Sequence, residues 1–134
     1  MKAIPYWVQQ ADDSSTEHAA VEVAEALRAF ETHWKQELER SNHLEGTERE
    51  AGLATIGFGD PSASMLELCP DAQGRATIHY SFMARRKVLG FLPLTLQAVR
   101  TAEGVEQSRV LNLIKLFFEG RHDSILDVLG VSPD

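Results

Sequence analysis

Apolar residues recur at alternating steps of three and four along the first third of the chain. A stripe with this spacing covers one face of an α-helix. Ser14 or Ser15 can cap such a helix, since a side-chain oxygen accepts from the free N–H groups of the first turn. The pattern therefore predicts a long N-terminal helix over residues 15–42, preceded by an extended segment over residues 1–14. The stripe consists of Ala20, Val23, Leu27, Phe30, Trp34 and Leu38.

From residue 53 to residue 100 the apolar positions alternate with polar ones. The clearest run is Arg75–Arg85, and turn residues such as Pro70–Gly74 separate it from the strand before it. A period of two is typical of strands with one buried face, and short turns connect antiparallel neighbours. The pattern therefore predicts a four-stranded antiparallel β-meander. The run Ile4–Val8 also alternates, but Pro5 has no N–H for a ladder, so we do not expect a central strand there.

The last part of the chain returns to helical spacing. Residues 104–130 contain two short apolar stripes with Gly120 between them, which predicts two helices. The predicted fold is a single α+β domain over residues 1–134. Its long N-terminal helix and two C-terminal helices should pack on one face of the meander.

Composition and charge place this domain among compact acidic proteins. The chain has 134 residues, 43% of them hydrophobic, and a formal net charge of -7. Its one cysteine, Cys69, excludes an internal disulfide. No apolar run reaches the length of a signal peptide core or a membrane span, so we expect a cytoplasmic protein of bacterial type. An acidic chain repels phosphates, which argues against a nucleic acid partner.

The sequence contains no catalytic, metal or cofactor motif. His18 with Glu22, and His33 with Glu37, have the i,i+4 spacing that places two side chains on one helix face. On one continuous helix these pairs would lie roughly 22 Å apart, at 1.5 Å per residue, so one metal ion could not bind both. We interpret both pairs as solvated helix surface, and we expect no cofactor and no enzyme activity.

The charge is distributed unevenly along the chain. Residues 72–102 contain five basic residues and no Asp or Glu, whereas residues 1–50 carry five basic and eleven acidic residues. Arg85, Arg86 and Lys87 should gather at the tip of a hairpin, followed by an apolar loop that contains Leu89 and Phe91. A basic cluster beside apolar residues suits docking to another protein. Glu22 and Glu25 on the acidic helix are a second candidate contact.

These features predict a non-enzymatic protein-binding module. In size, charge and predicted topology the chain resembles small binding proteins such as secretion chaperones and toxin-immunity proteins, which implies an immunity, chaperone or adaptor role. Two alternatives remain. The polar sheet face around His79, with Glu67 and Ser81, could form a small-ligand or hydrolytic site, because Glu67 and His79 fall on neighbouring strands. The first helix or an open sheet edge could instead form a homodimer.

Overall fold

The computed structural model describes residues 3–10, 14–41, 54–60, 62–71 and 73–131, with the backbone alone at residues 41, 85–88 and 93. It confirms the α+β class and an antiparallel sheet. Within the described residues the elements follow the order β1 (Ile4–Gln9), β2 (Ser15–Val21), α1 (Val23–Ser41), β3 (Thr55–Gly59), β4 (Ser64–Pro70), β5 (Arg75–Val88), β6 (Leu92–Glu106), α2 (Gln107–Glu119) and α3 (His122–Leu129).

In the described part of the chain the sheet has six strands in the order β2-β1-β3-β4-β5-β6, and every neighbouring pair is antiparallel. The predicted four-stranded meander is therefore wrong in its number of strands, because β1 and β2 extend the sheet beyond β3. β6 continues to Glu106, so the C-terminal helices begin at Gln107 and not at residue 104. The predicted boundaries at residues 42 and 53 lie outside the described residues.

The long N-terminal helix is also wrong in its first turns. Residues Ser15–Val21 form β2, an edge strand paired with β1, and α1 begins only at Val23. β1 is an interior strand despite Pro5, since it pairs with β2 on one side and β3 on the other. The β1–β2 register shifts between Ile4 and Tyr6, and pairing with β3 starts at Tyr6. Pro5 thus lies at an irregularity, where a strand tolerates a residue without an N–H.

The hydrophobic core lies between the helices and one face of the sheet. Strand residues such as Phe58, Leu66 and Ile78 are fully buried in the same cluster as Phe30 and Trp34 of α1. The apolar residues of α2 and α3 complete this cluster: Val110, Leu113, Ile114, Leu116, Phe117, Phe118, Ile125, Leu126 and Leu129. We call the opposite side of the sheet the open face. Among the described helices, none combines the length and apolar character needed to cross a membrane.

Candidate functional site

The strands β5 and β6 extend beyond the rest of the sheet. The β4–β5 ladder ends where Ser64 pairs with Phe82, but β5 continues to Val88 and pairs there only with β6. Six residues of strand span roughly 20 Å, at about 3.4 Å per residue. We call residues 83–97 the distal hairpin. One face of this hairpin continues the side of the sheet that packs against the helices, and we call it the helix-side face. The other face of the hairpin continues the open face.

Large hydrophobic side chains on this part of the chain are exposed. Across the described residues, every large hydrophobic residue classed as exposed lies between residues 83 and 99. Leu92, Leu94 and Leu96 form a stripe on the helix-side face and are 49%, 45% and 43% exposed. The stripe ends at Ala98, which is buried. The helices therefore cover the base of the hairpin and leave its distal part uncovered.

The turn of the distal hairpin presents two further apolar side chains. Leu89 is 78% exposed and Phe91 is 71% exposed. Leu89 has a φ of 58° and Gly90 a φ of 81°. A left-handed conformation costs a non-glycine residue roughly 1–2 kcal/mol. A leucine at such a position is uncommon, and it directs attention to the turn as a functional feature.

The basic residues lie in strand β5 and not in the loop. The backbone of Arg85 pairs with Thr95, Arg86 with Leu94 and Lys87 with Pro93. Because Val88 pairs with Leu92, the turn contains only residues 89–91. The expected basic tip is thus a basic strand segment, adjacent to an apolar turn. This segment and the leucine stripe lie on neighbouring strands.

Glu22 and Glu25, which were predicted as a second contact, do not lie on the distal hairpin. Glu22 precedes α1, and Glu25 is in its first turn; both side chains are exposed. Glu25 borders a cavity beside β1 and β2, whereas the distal hairpin belongs to β5 and β6. Strands β1, β3 and β4 separate β2 from β5. The structure does not bring the acidic and the basic candidates into one surface.

The open face carries a row of side chains across the sheet. Trp7 is paired with Gly57, Gly57 with Glu67, Glu67 with His79, and His79 with Thr101. The expected pairing of Glu67 with His79 is therefore present in the register. His79 Nδ1 lies 3.0 Å from Thr101 Oγ1, within hydrogen-bond distance.

Ser81, the third member of the His79 candidate site, is buried one row further along and pairs with Met65 and Val99. His79, Glu67 and Ser81 border neither of the two cavities described below.

His33 and Glu37 are buried, which overturns their interpretation as solvated surface. They are 8% and 6% exposed. His33 Nε2 lies 2.8 Å from the carbonyl oxygen of Ala54, so the ring donates from Nε2. Arg40 donates from Nε to Glu37 Oε2 at 2.9 Å and supplies the charge that a buried carboxylate requires. The pair belongs to the packing between α1 and the start of β3.

His18 lies on β2 and not on a helix. Its ring stacks on Tyr6 at a centroid distance of 4.3 Å. Because β2 folds back along β1, His18 and His33 border the same cavity of about 600 Å³, although a continuous helix would separate them. Even so, no three His, Cys, Asp or Glu side chains in the described part of the chain are arranged to bind a metal ion.

The sequence did not indicate a second polar pair, which is partly buried. Tyr80 Oη lies 2.8 Å from Nδ1 of His122, 42 residues away along the chain. The Phe82 ring meets the His122 ring edge-on at 4.6 Å. Burial, with a smaller contribution from the charge of Asp123, raises the pKa of Tyr80 to about 12. In the sequence Tyr80 lies within the alternating run Arg75–Arg85 and His122 lies two residues after Gly120, so no pattern of spacing connects them.

We expect Tyr80 to make the protein less stable in strong alkali. Its pKa is about 12 in the folded state, against 10.0 ordinarily. The folded protein holds the phenol proton more tightly, so the unfolded state gains free energy by ionising first. The free energy of unfolding should therefore be unaffected by this group below pH 10 and should fall as the pH rises from 10 to 12. Urea titrations across this pH range measure the loss, and Tyr80→Phe should remove it.

A spectroscopic titration can measure the pKa of Tyr80 alone. The chain has two tyrosines, so in a Tyr6→Phe variant the tyrosinate absorbance reports Tyr80 alone. A midpoint near 10 in the folded protein would contradict the burial of Tyr80.

Cys69 is consistent with a packing residue. Burial raises the pKa of its thiol, and Thr55 donates a hydrogen bond to its sulfur at 3.4 Å. A raised pKa leaves little thiolate at neutral pH, and the thiolate is the nucleophile.

In comparisons with protein-family models, curated proteins and solved structures, none matched this chain. The fold and the exposed surface define an α+β protein with an antiparallel six-stranded sheet and a projecting apolar hairpin. A fold by itself supports many functions, so the exposed hairpin is the feature of this molecule that bears on function.

Proposed function

We propose that this chain is a protein-binding module and that its contact surface is the helix-side face of the distal hairpin. One observation carries the proposal: the exposed large hydrophobic residues in the described part of the chain are concentrated between residues 83 and 99. Contiguous exposed apolar surface on a soluble protein marks an interaction site. An immunity, chaperone or adaptor role would use the surface in this way.

The charge around this surface indicates the chemistry of the partner. Residues 73–102 contain no acidic residue, and of the three consecutive basic residues Arg85, Arg86 and Lys87 the middle one, Arg86, is paired with Leu94 of the leucine stripe. The complementary surface is apolar at its centre and bordered by Asp and Glu, since opposite charges steer association and like charges oppose it. The occupant we propose is therefore a different protein with an acidic rim.

The edge of the sheet gives this partner a second means of attachment. β6 ends the order of the described strands, so among these strands none pairs with the outer N–H and C=O groups of its backbone. An exposed edge of this kind can accept an additional strand, whose main-chain hydrogen bonds provide affinity while side-chain pockets provide specificity. Leu92, Leu94 and Leu96 alternate along this edge and would contact alternate side chains of the incoming strand.

We expect Leu94→Thr/Leu96→Thr to weaken binding strongly. Threonine favours strands, so the double variant removes apolar area and keeps the local structure. Each leucine is a little under half exposed and would lose about 1 kcal/mol of burial on binding. The sum, about 2 kcal/mol, corresponds to a roughly 30-fold higher Kd. A photo-reactive residue at position 94 identifies the partner in cells, and calorimetry with the purified partner measures the Kd.

Val99→Thr is the matched control. Val99 is 50% exposed but lies on the open face of the same strand, so its replacement should leave the Kd within about twofold. Leu89→Asn tests the turn separately, because asparagine adopts the left-handed conformation readily. If Leu94→Thr/Leu96→Thr binds the partner as tightly as the wild type does, the surface is assigned wrongly. A photoproduct that joins two copies of this chain would instead favour the homodimer.

A further inference from the structure

A cavity of about 700 Å³ opens where α2 meets α3. Its walls come from the first residues of β1, the turn between β3 and β4, strand β5 and the two helix ends. Most of its lining is apolar and includes the rings of Tyr80, Phe82 and Phe117 together with Ile4 and Ile125. Sites that bind small molecules are commonly concave, largely apolar and about 300–1,000 Å³ in volume.

The Tyr80–His122 pair supplies a polar group in this lining. Its two members share one hydrogen bond, and the raised pKa keeps the Tyr80 hydroxyl protonated at neutral pH. The pair carries one O–H and at least one N–H hydrogen, and the shared bond uses one of them. In either tautomer of the ring one hydrogen remains for a further acceptor. The pair therefore offers a donor to an oxygen of a bound molecule.

The charged residues around the cavity determine whether the oxygen of a bound molecule can carry a negative charge. Asp60 borders the cavity, and two hydrogen bonds from Ser62 hold the pKa of its carboxyl below the usual value. Neither Lys nor Arg is among the described residues that line the cavity. The Arg100 guanidinium lies over the Phe82 ring, 5.5 Å from its centroid, and donates to the carbonyl of Val99. A carboxylate ligand would meet the negative charge of Asp60 without a Lys or Arg in the described lining to balance it.

We propose that this cavity binds a neutral molecule with an aromatic body and one carbonyl oxygen, of the ketone, amide or ester class. The aromatic part packs against Tyr80, Phe82 and Phe117, in the offset and edge-on arrangements that aromatic rings prefer. The carbonyl oxygen accepts the hydrogen left over by the Tyr80–His122 pair. This site is separate from the leucine stripe of the distal hairpin and does not depend on the hairpin's function.

Two probes of nearly equal shape test the proposal. Benzylacetone ends in a methyl ketone, and hydrocinnamate replaces that end with a carboxylate. In amide NMR titrations of the full chain, benzylacetone should bind with a Kd in the millimolar range, as expected for a fragment. The shifts should be centred on residues of the cavity wall. Hydrocinnamate should bind at least tenfold more weakly. If hydrocinnamate binds more tightly, the site prefers anions and the proposed class is wrong.

Variants of the cavity lining test whether benzylacetone binds in this cavity. Ala63 is exposed at the rim, so Ala63→Trp should fill the opening and abolish saturable binding of benzylacetone, whereas Ala24→Trp on the exposed side of α1 should not. Tyr80→Phe/His122→Phe keeps the apolar wall, removes the donor and should weaken binding about fivefold. Leu94→Thr/Leu96→Thr should bind the probe as the wild type does, which separates this test from that of the hairpin.

One measurement needs no variant. Nuclear Overhauser effects between the phenyl protons of benzylacetone and the methyl groups of Ile4 and Ile125 should appear in the wild-type protein. If saturable binding occurs without these contacts, or if neither probe binds, the proposal is overturned.

Discussion

Replacing Trp34 with alanine should lower the free energy of unfolding by about 3–5 kcal/mol, the range for removing a large aromatic side chain from a core. Trp34 is 1% exposed, and its ring meets Phe30 edge-on at a centroid distance of 5.1 Å. The substitution removes this contact and leaves a void between α1 and the rest of the core. Because Trp34 belongs to the same buried cluster as the core residues of the sheet, we expect the loss of stability to affect the whole cooperative unit. Urea unfolding followed by circular dichroism measures it.

Lys35→Ala is the control for the Trp34 prediction. Lys35 is the next residue on the same helix and is exposed, so this substitution changes helix composition without opening the core. We expect a change within about 0.5 kcal/mol. A loss below about 1 kcal/mol for Trp34→Ala would show that α1 is not packed as described.

Gly57→Ala should destabilise the protein by about 1–3 kcal/mol through overpacking. Gly57 is buried in the interior strand β3, and the ring of Trp7 lies directly on it. A methyl group at this position would lie 2.7 Å from Cη2 of Trp7 and closer still to two other ring carbons. Either the indole or the strand must move, so the cost comes from one identified contact.

A double-mutant cycle tests whether the cost of Gly57→Ala comes from its contact with the Trp7 ring. In a Trp7→Ala background the obstructing ring is absent, so Gly57→Ala should become nearly neutral, and the coupling free energy between the two sites should be about 1 kcal/mol or more. Equal costs in the two backgrounds would mean that Trp7 does not cover Gly57. Urea unfolding of the four proteins provides the cycle.

The alternating segments were predicted well from the sequence, and the N-terminal region was not. The positions of β4 and β5 and the pairing of Glu67 with His79 follow from a two-residue period joined by a short turn, which leaves little freedom in register. In Ser15–Val21, by contrast, Glu17, Ala19 and Ala20 favour a helix. Pairing with β1 outweighs that weak local preference.

The distal hairpin was located from the sequence but not described correctly. Its basic and apolar residues stood out because residues 72–102 contain no acid. The start of the second strand at Leu92 was predicted, but the sequence did not show that the first strand continues beyond Arg85 to Val88, so that the basic residues lie in the ladder. Nor could it show that the helices cover Ala98 and leave Leu94 exposed, because alternation predicts a buried face and not the element that covers it.

Three features could be predicted from the order of residues, since they depend on periodicity and on neighbours along the chain: the class of the fold, the antiparallel ladders of its second half, and the concentration of basic and apolar residues around Arg85–Phe91. Four others became visible only in the folded chain: the six-stranded sheet, the burial of His33 and Glu37, the Tyr80–His122 pair and the cavity beside it. Each of these joins residues far apart in the chain, and their contact depends on how the helices close over the sheet, for which no local pattern carries information.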